Sequence, residues 1–236
     1  MEAKRCALRY PYLSVKTQND NSYGGSQTWS SSLIMRKYGC GVVGISDVLL
    51  YLGLHRPDCE TDLHYGILRE DGYISYPRYE RYLIKMRRRY LSVIPGFGVP
   101  GFLLPAAMNK YFRHYRIDLK ASWCMRSGQI QTRIENMLAR DIPIILAIGP
   151  NFPCFWGKKR LTLYRMENGE FLPAVETNAH FVVVTGTVGD YLQISSWGKE
   201  YYIFWPEYQN YIKKYSNGFA SNICLIREKK KKRKDG

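Results

Sequence analysis

The sequence has no long apolar run and no apolar segment near its first residue. Nowhere in its 236 residues does an uninterrupted apolar stretch approach the roughly 20 residues that cross a bilayer. The first residues carry a little positive charge, but no apolar stretch follows them as it would in a secretory signal. We therefore expect no membrane span and no signal peptide, and we expect a cytoplasmic protein.

Cysteine and histidine are too scattered to form a recognisable metal motif. The six cysteines include no CxxC pair and fit no zinc-finger or zinc-ribbon spacing. Because 45% of the residues are hydrophobic, a cytoplasmic chain of this length can build its core without disulfides, so we expect mostly free, buried thiols. His55, His64 and His114 have no cysteine or carboxylate spacing around them that suggests a metal.

Acidic residues are few: the sequence has 20 of them and 35 lysines and arginines, which gives a net charge of +15. Part of this excess lies in residues 227–236, where no apolar residue is present, so we expect a disordered basic tail. Another part is a basic cluster at residues 85–89 on a predicted helix. No zinc finger, helix-turn-helix or RNA-binding signature accompanies these charges, so we expect only non-specific nucleic-acid contact through the tail.

Hydrophobic periodicity divides the chain into two halves. From about residue 30 to 140, apolar residues recur at helical spacing. From about residue 141 to 226, short runs rich in β-branched residues alternate with turns, and Asn168-Gly169 predicts a hairpin. Helices followed by strands predict an α+β fold with a helical half packed on an antiparallel sheet. The predicted organisation is an N-terminal extension (1–23), one domain (24–226) and the tail (227–236).

Cys40 lies between two glycines at the start of an apolar helical pattern. Glycine on both sides leaves space for a substrate backbone to approach the thiol. The dipole and free N–H groups of a helix N-terminus favour a thiolate and can donate to an oxyanion. We therefore expect a nucleophile whose pKa is lowered. The structural alternative is a small buried cysteine at the turn before a core helix.

His180 stands immediately before a valine-rich strand pattern. An imidazole held at the end of a rigid strand suits a base that takes a proton from a thiol on a helix. The alternative is a histidine whose ring is satisfied by a neighbouring carbonyl. The next predicted strand closes on Ser195-Ser196-Trp197-Gly198.

Taken in order, these segments resemble the papain-like cysteine peptidases. Gly-Cys-Gly opens a helix at residue 39, His180 precedes a strand ending in Thr-Gly, and the following strand closes on Ser-Trp-Gly at residue 196. The bacteriocin-processing, double-glycine-leader peptidases look like the nearest branch. The resemblance covers residues 24–205 loosely. It implies a papain-like α+β fold in which the helical half carries the cysteine and the sheet carries the histidine.

The resemblance also implies chemistry at a peptide or amide bond. Cys40 would attack the carbonyl and His180 would act as general base, with no metal and no organic cofactor. Ser195 stands where the family has Asn or Asp, and it would orient His180 without bringing a charge. The family's oxyanion glutamine is missing from residues 30–39. Gln27, near Trp29, is the candidate, and an ordinary polar loop residue is its alternative.

Two other functions stay open beside a peptidase acting on a peptide or protein substrate. The missing Asn or Asp favours a catalytically impaired pseudo-enzyme or a binding module on the same fold. The positive charge is the reason for the second alternative, a basic nucleic-acid-associated protein in which Cys40 is structural.

Overall fold

Helices and a large antiparallel sheet make up the chain, so the predicted α+β class is confirmed. The computed structural model describes residues 5–17, 21–67, 72–96, 98–124, 129–154 and 157–229. Within these ranges the α-helices are α1 (Leu33–Tyr38), α2 (Cys40–His55), α3 (Tyr76–Arg89), α4 (Leu103–His114), α5 (Ile130–Leu138) and α6 (Trp205–Tyr215). None of the helices in these ranges has the length and apolar composition needed to cross a membrane.

The strands of the described residues fall into one large sheet and one short pair. They are β1 (Arg5–Ala7), β2 (Val15–Lys16), β3 (Ile74–Ser75), β4 (Leu119–Trp123), β5 (Ile144–Ile148), β6 (Leu161–Glu167), β7 (Glu170–Thr177), β8 (His180–Val188), β9 (Tyr191–Ser196), β10 (Lys199–Phe204) and β11 (Ile223–Glu228). The large sheet runs β4-β11-β5-β8-β9-β10-β6-β7, with β1 added to β8, while β2 and β3 form a separate parallel pair.

Helix α2 is the centre of the core and positions Cys40. Its residues 41–53 are apolar apart from Ser46 and Asp47 and are all buried, as expected for a helix surrounded by protein. Two glycines let it approach the sheet closely. A Cβ at Gly44 would lie 3.7 Å from Ile145 of β5, and one at Gly41 would lie 3.4 Å from Phe181 of β8. The N-terminus of α2 is therefore held against the first residues of β8.

The hairpin predicted at Asn168-Gly169 is confirmed between β6 and β7. Both residues have positive φ, +52° and +85°, the conformation that a tight two-residue turn requires. The division into halves needs a correction, because β4 lies within the predicted helical half and yet pairs with β11 in the sheet. A five-residue strand inside a helical region leaves only a weak period-2 pattern in the sequence.

Both predicted domain boundaries also move outward. Strand β1 pairs with β8, and Leu13 and Val15 are buried in the core, so the folded unit begins before residue 24. At the other end, Arg227 and Glu228 continue β11, and the Lys229 ammonium donates to the Ile117 carbonyl oxygen at 3.0 Å. The first residues of the predicted tail thus pair with β4 through their backbone, which an apolar pattern does not reveal. Residues 230–236 lie outside the described residues.

Candidate functional site

All four residues singled out from the sequence, Cys40, His180, Gln27 and Ser195, line one small cavity. Cys40 is the first residue of α2, His180 is the first residue of β8, and Gln27 begins a short 3₁₀ turn, Gln27–Trp29. All three contribute to the walls of the cavity, together with Ser195 and Ser196 at the end of β9. The cavity offers about 20 Å³ to the centre of a water molecule, which is room for one or two waters.

The imidazole of His180 is buried and is bound through one nitrogen. Nε2 lies 2.8 Å from Ser196 Oγ. The Trp197 indole stacks on the ring, with the centroids 4.4 Å apart and the planes 14° apart. Among the described residues no hydrogen bond reaches Nδ1, and none joins the ring to the Cys40 thiol. Burial lowers the pKa of His180 to about 4, so the ring is neutral at neutral pH.

Ser196, not Ser195, contacts His180, which corrects the predicted orienting role of Ser195. Val183 of β8 is paired directly with Ser195 of β9, so their side chains share one face of the sheet. His180 is an odd number of residues from Val183, and Ser196 is the next residue after Ser195. Both therefore project to the other face. The Ser195 hydroxyl donates instead to the Tyr23 carbonyl oxygen at 2.7 Å.

The alternation of β9 in the sequence separates Ser195 from Ser196, but it does not say which of them shares a face with His180. Leu192 and Ile194 are the buried apolar residues of β9, and Ser196 continues their period of two. A bulge in the pairing between Val184 and Gly186 obscures the register on β8. Only the three-dimensional pairing fixes which of the two adjacent serines meets the histidine.

The thiol of Cys40 lies in a setting that disfavours the thiolate. Burial raises the pKa of Cys40 above its ordinary value, and the backbone N–H groups of Phe181, Gly41 and Cys40 itself only partly oppose that rise. This direction is opposite to the lowered pKa expected from the helix N-terminus. The desolvation of the charged sulfur outweighs the helix dipole and the nearby N–H groups.

The glycines beside Cys40 serve packing rather than substrate access. A Cβ at Gly39 would lie 2.5 Å from the Met35 carbonyl oxygen of α1. A Cβ at Gly41 would lie within 3.4 Å of Val99, Leu104 and Phe181. The space that the sequence suggested at the two glycines is thus filled by the protein, and the partly exposed Cys40 lines the small cavity.

Gln27 reaches the cavity from a loop that is tied to the other two segments. Its Nε2 donates to the Arg36 carbonyl oxygen at 3.0 Å, which uses one of the two amide hydrogens. The Gly198 N–H donates to the Gly25 carbonyl oxygen at 2.9 Å. The Trp29 ring occupies the position that a side chain at Gly198 would take. The loop before Gln27 and the turn after Ser196 therefore hold each other in place.

Asp47 is a buried carboxylate beneath the cavity that the sequence analysis did not single out. Its Oδ2 accepts from the Gly25 N–H at 2.8 Å, and its Oδ1 accepts from the Tyr79 hydroxyl at 2.5 Å. Burial raises the pKa of Asp47 to about 6, and the hydrogen bonds oppose that rise. A polar residue within an otherwise apolar helix is the signal that could have identified it. Asp47 links α2, which carries Cys40, to the loop that carries Gln27.

Two backbone conformations at the site are uncommon for residues with side chains. Ala179, just before His180, has φ of +48°, and Trp197, just after Ser196, has φ of +50°. Each costs about 1–2 kcal/mol in the left-handed region and persists only because the surroundings impose it. The two turns aim the ends of β8 and β9 at the same cavity.

Comparison with known proteins identifies no relative of this chain. No family model matches the chain, and searches of curated proteins and of solved structures find no match. The site must therefore be interpreted from its own geometry.

Proposed function

We propose that this chain is a cysteine-dependent peptidase or a closely related acyl-transfer enzyme with a papain-like arrangement of its groups. One observation carries the proposal. A cysteine at a helix N-terminus, a histidine at a strand end and a glutamine amide, all distant in sequence, line one cavity. The histidine keeps Nδ1 without a hydrogen bond among the described residues while Ser196 holds Nε2.

The chemistry begins from a neutral pair. With Nε2–H donating to Ser196, the Nδ1 lone pair can accept the Cys40 proton as the sulfur attacks a substrate carbonyl carbon. Collapse of the tetrahedral intermediate breaks the C–N bond, and the imidazolium returns the proton to the leaving amine. Water, deprotonated by His180, then hydrolyses the thioester and releases the acid and the thiol. An acceptor amine in place of water gives acyl transfer.

Gln27 would stabilise the negative oxygen of the tetrahedral intermediate. Its second amide hydrogen is not used by the bond to Arg36, so it is free to donate. The Cys40 backbone N–H would supply a second donor. Removing one such donor lowers turnover by about 100- to 1000-fold, so we expect that loss for Gln27→Ala.

Cleavage of a peptide library by the full-length chain tests the proposal. A labelled amine in the reaction also detects acyl transfer, and mass spectrometry reads the new termini. We expect products from the unsubstituted chain and from Cys154→Ser, which removes an exposed thiol. Cys40→Ala should give none, and His180→Gln should give them about 100- to 10,000-fold more slowly. Products that persist in Cys40→Ala, or no products from the unsubstituted chain, would overturn the proposal.

A catalytically impaired binding module on the same fold is the second candidate. Three observations favour it: the raised pKa of Cys40, the neutral partner of His180 and the small volume of the cavity. Under this reading His180→Gln should leave the iodoacetamide rate at Cys40 unchanged. A peptidase in which His180 accepts the Cys40 proton should instead show a lower rate at Cys40 in His180→Gln, with the exposed Cys154 as the internal reference.

A further inference from the structure

A second and larger pocket lies at the other end of α1 from Cys40. It has a volume of about 460 Å³, the size of a site for a small molecule or for one or two residues of a peptide. The residues lining it are Ser30, Ser31, Ser32, Met35, Leu83, Ile84, Arg87, Arg88, Ser92 and Val93. Two of its lining residues, Arg87 and Arg88, belong to the basic cluster at residues 85–89.

The pocket has an apolar floor and a cationic, hydroxyl-rich rim. Met35, Leu83 and Val93 are buried, whereas the serines and the two arginines supply polar groups around them. The Arg87 guanidinium donates to Ser32 Oγ at 3.1 Å, so it points across the pocket and not back along its own helix. No carboxylate is among the lining residues. Glu80 lies nearby, where it accepts from the Ser31 N–H at 2.8 Å.

We propose that this pocket binds an acidic side chain of a peptide. Guanidinium groups bind carboxylates through paired, charge-assisted hydrogen bonds, and serine hydroxyls can complete the shell. The floor suits the methylene groups of a glutamate. Among the described residues Arg87 has no ion pair, so a carboxylate in the pocket would be its first negative partner.

The pocket is connected to the Cys40 cavity through a single segment. The Arg36 guanidinium donates to the carbonyl oxygens of Ser30 and Ser31 at 2.8 and 3.1 Å. Its own carbonyl oxygen accepts from Gln27. Helix α1 has six residues and spans about 9 Å, a distance that about three residues of an extended peptide cover. The further statement that this peptide is a substrate rests on the proposed function. If it is a substrate, its acidic residue lies about three residues from the cleaved bond.

A binding experiment on the full-length Cys40→Ala chain separates this proposal from catalysis. The probes are a capped Glu-Ala-Ala-Ala peptide, the same peptide with Gln for Glu, and inorganic phosphate. Amide NMR signals of Ser31 and Ser32 report binding. We expect saturable shifts with the Glu peptide and a dissociation constant about 10-fold weaker for the Gln peptide, as for loss of one charged hydrogen-bonded contact.

Arg87→Met removes the charge but keeps the apolar stem, and we expect it to weaken binding of the Glu peptide about 10-fold. The matched control is Arg81→Met on the same helix, because Arg81 does not line this pocket. The proposal would be overturned if the Glu and Gln peptides bound equally well or if the two arginine variants had equal effects. It would also be overturned if inorganic phosphate bound and neither peptide did. If the Glu peptide binds as expected but the unsubstituted chain cleaves no peptide, the pocket assignment stands and the proposed function fails.

Discussion

His64 and His180 are both buried, one in each half of the molecule, and burial lowers the pKa of each to about 4. Their surroundings differ. The Thr61 N–H donates to Nδ1 of His64 at 3.2 Å, and Nε2 lies 3.2 Å from the Tyr111 hydroxyl. The ring also fills the space that a side chain at Gly53 would need. His64 has a partner for each nitrogen, and no cysteine is among the described residues that line the pocket beside it.

His180 has a partner for Nε2 only, and it shares its cavity with Cys40. A perturbed pKa therefore does not distinguish the two histidines, since desolvation acts on both. What distinguishes them is the ring nitrogen of His180 that remains without a hydrogen bond among the described residues, and the cavity that His180 shares with Cys40. A buried histidine with both nitrogens satisfied stabilises a fold. One with a nitrogen left over, next to a nucleophile, is equipped for proton transfer.

The largest expected effect comes from exchanging each histidine for glutamine. His180→Gln should lower turnover by about 100- to 10,000-fold, the usual contribution of a general base, with little loss of stability. His64→Gln should leave turnover unchanged and lower the free energy of unfolding by about 1–3 kcal/mol, because it breaks a buried hydrogen-bond network. Peptide cleavage rates and urea unfolding measure the two effects. Similar activity losses for both variants would break the comparison.

Stability in acid tests the property that the two histidines share, which is a pKa lowered by burial. A histidine with a folded pKa of about 4 and an unfolded pKa of 6.5 is protonated first in the unfolded state. As the pH falls from 6.5 to about 4, each histidine therefore lowers the free energy of unfolding by about 3 kcal/mol. Above pH 6.5 it has no such effect. Asp47 acts in the opposite direction, because its pKa is raised to about 6 and the folded state takes up its proton first.

Urea unfolding at both ends of this window checks the linkage. Relative to the unsubstituted chain, His64→Gln and His180→Gln should each reduce the acid-induced loss of stability by about 3 kcal/mol. Asp47→Asn should increase that loss. An acid-induced loss that neither histidine variant changes would show that the two rings are not held neutral by burial.

The pH dependence of Cys40 alkylation tests whether His180 is a neutral base. With the pKa of Cys40 raised, the thiolate fraction and hence the iodoacetamide rate should rise about tenfold per pH unit between about pH 7 and 9. The Cys154→Ser background removes the exposed thiol. A rate that is already flat near neutral pH would mean a preformed thiolate–imidazolium pair, and His180 would then be charged, unlike His64.

The smallest expected effect comes from the two adjacent serines. Ser196→Ala should lower kcat about 3- to 10-fold at unchanged KM, since it removes one hydrogen bond that positions His180. Ser196→Thr keeps the hydroxyl and should therefore keep kcat near that of the unsubstituted chain. Ser195→Ala removes the bond to Tyr23 and should lower stability by about 1 kcal/mol while kcat stays the same. If Ser195→Ala lowers kcat more than Ser196→Ala does, the assignment of the positioning serine is wrong.

Most of the architecture could be predicted from local patterns. The helical spacing around Leu49 predicted α2, the valine-rich run predicted β8, and Asn168-Gly169 predicted the turn between β6 and β7. These signals succeed because periodicity and turn chemistry act within a few residues of the chain. Strand β1 gave no such signal, since three residues are too few for a pattern and their partner is far away in sequence.

The site divides in the same way. By itself the sequence determined that Cys40 begins an apolar helix, that His180 begins a strand and that a serine pair closes the next strand. Tertiary structure alone decided which serine meets the imidazole, because a strand's register sets the face of every side chain. It also decided the direction of the Cys40 pKa. The pattern of a helix N-terminus is local in the sequence, whereas desolvation of the thiol depends on the tertiary packing that brings β8 against the start of α2.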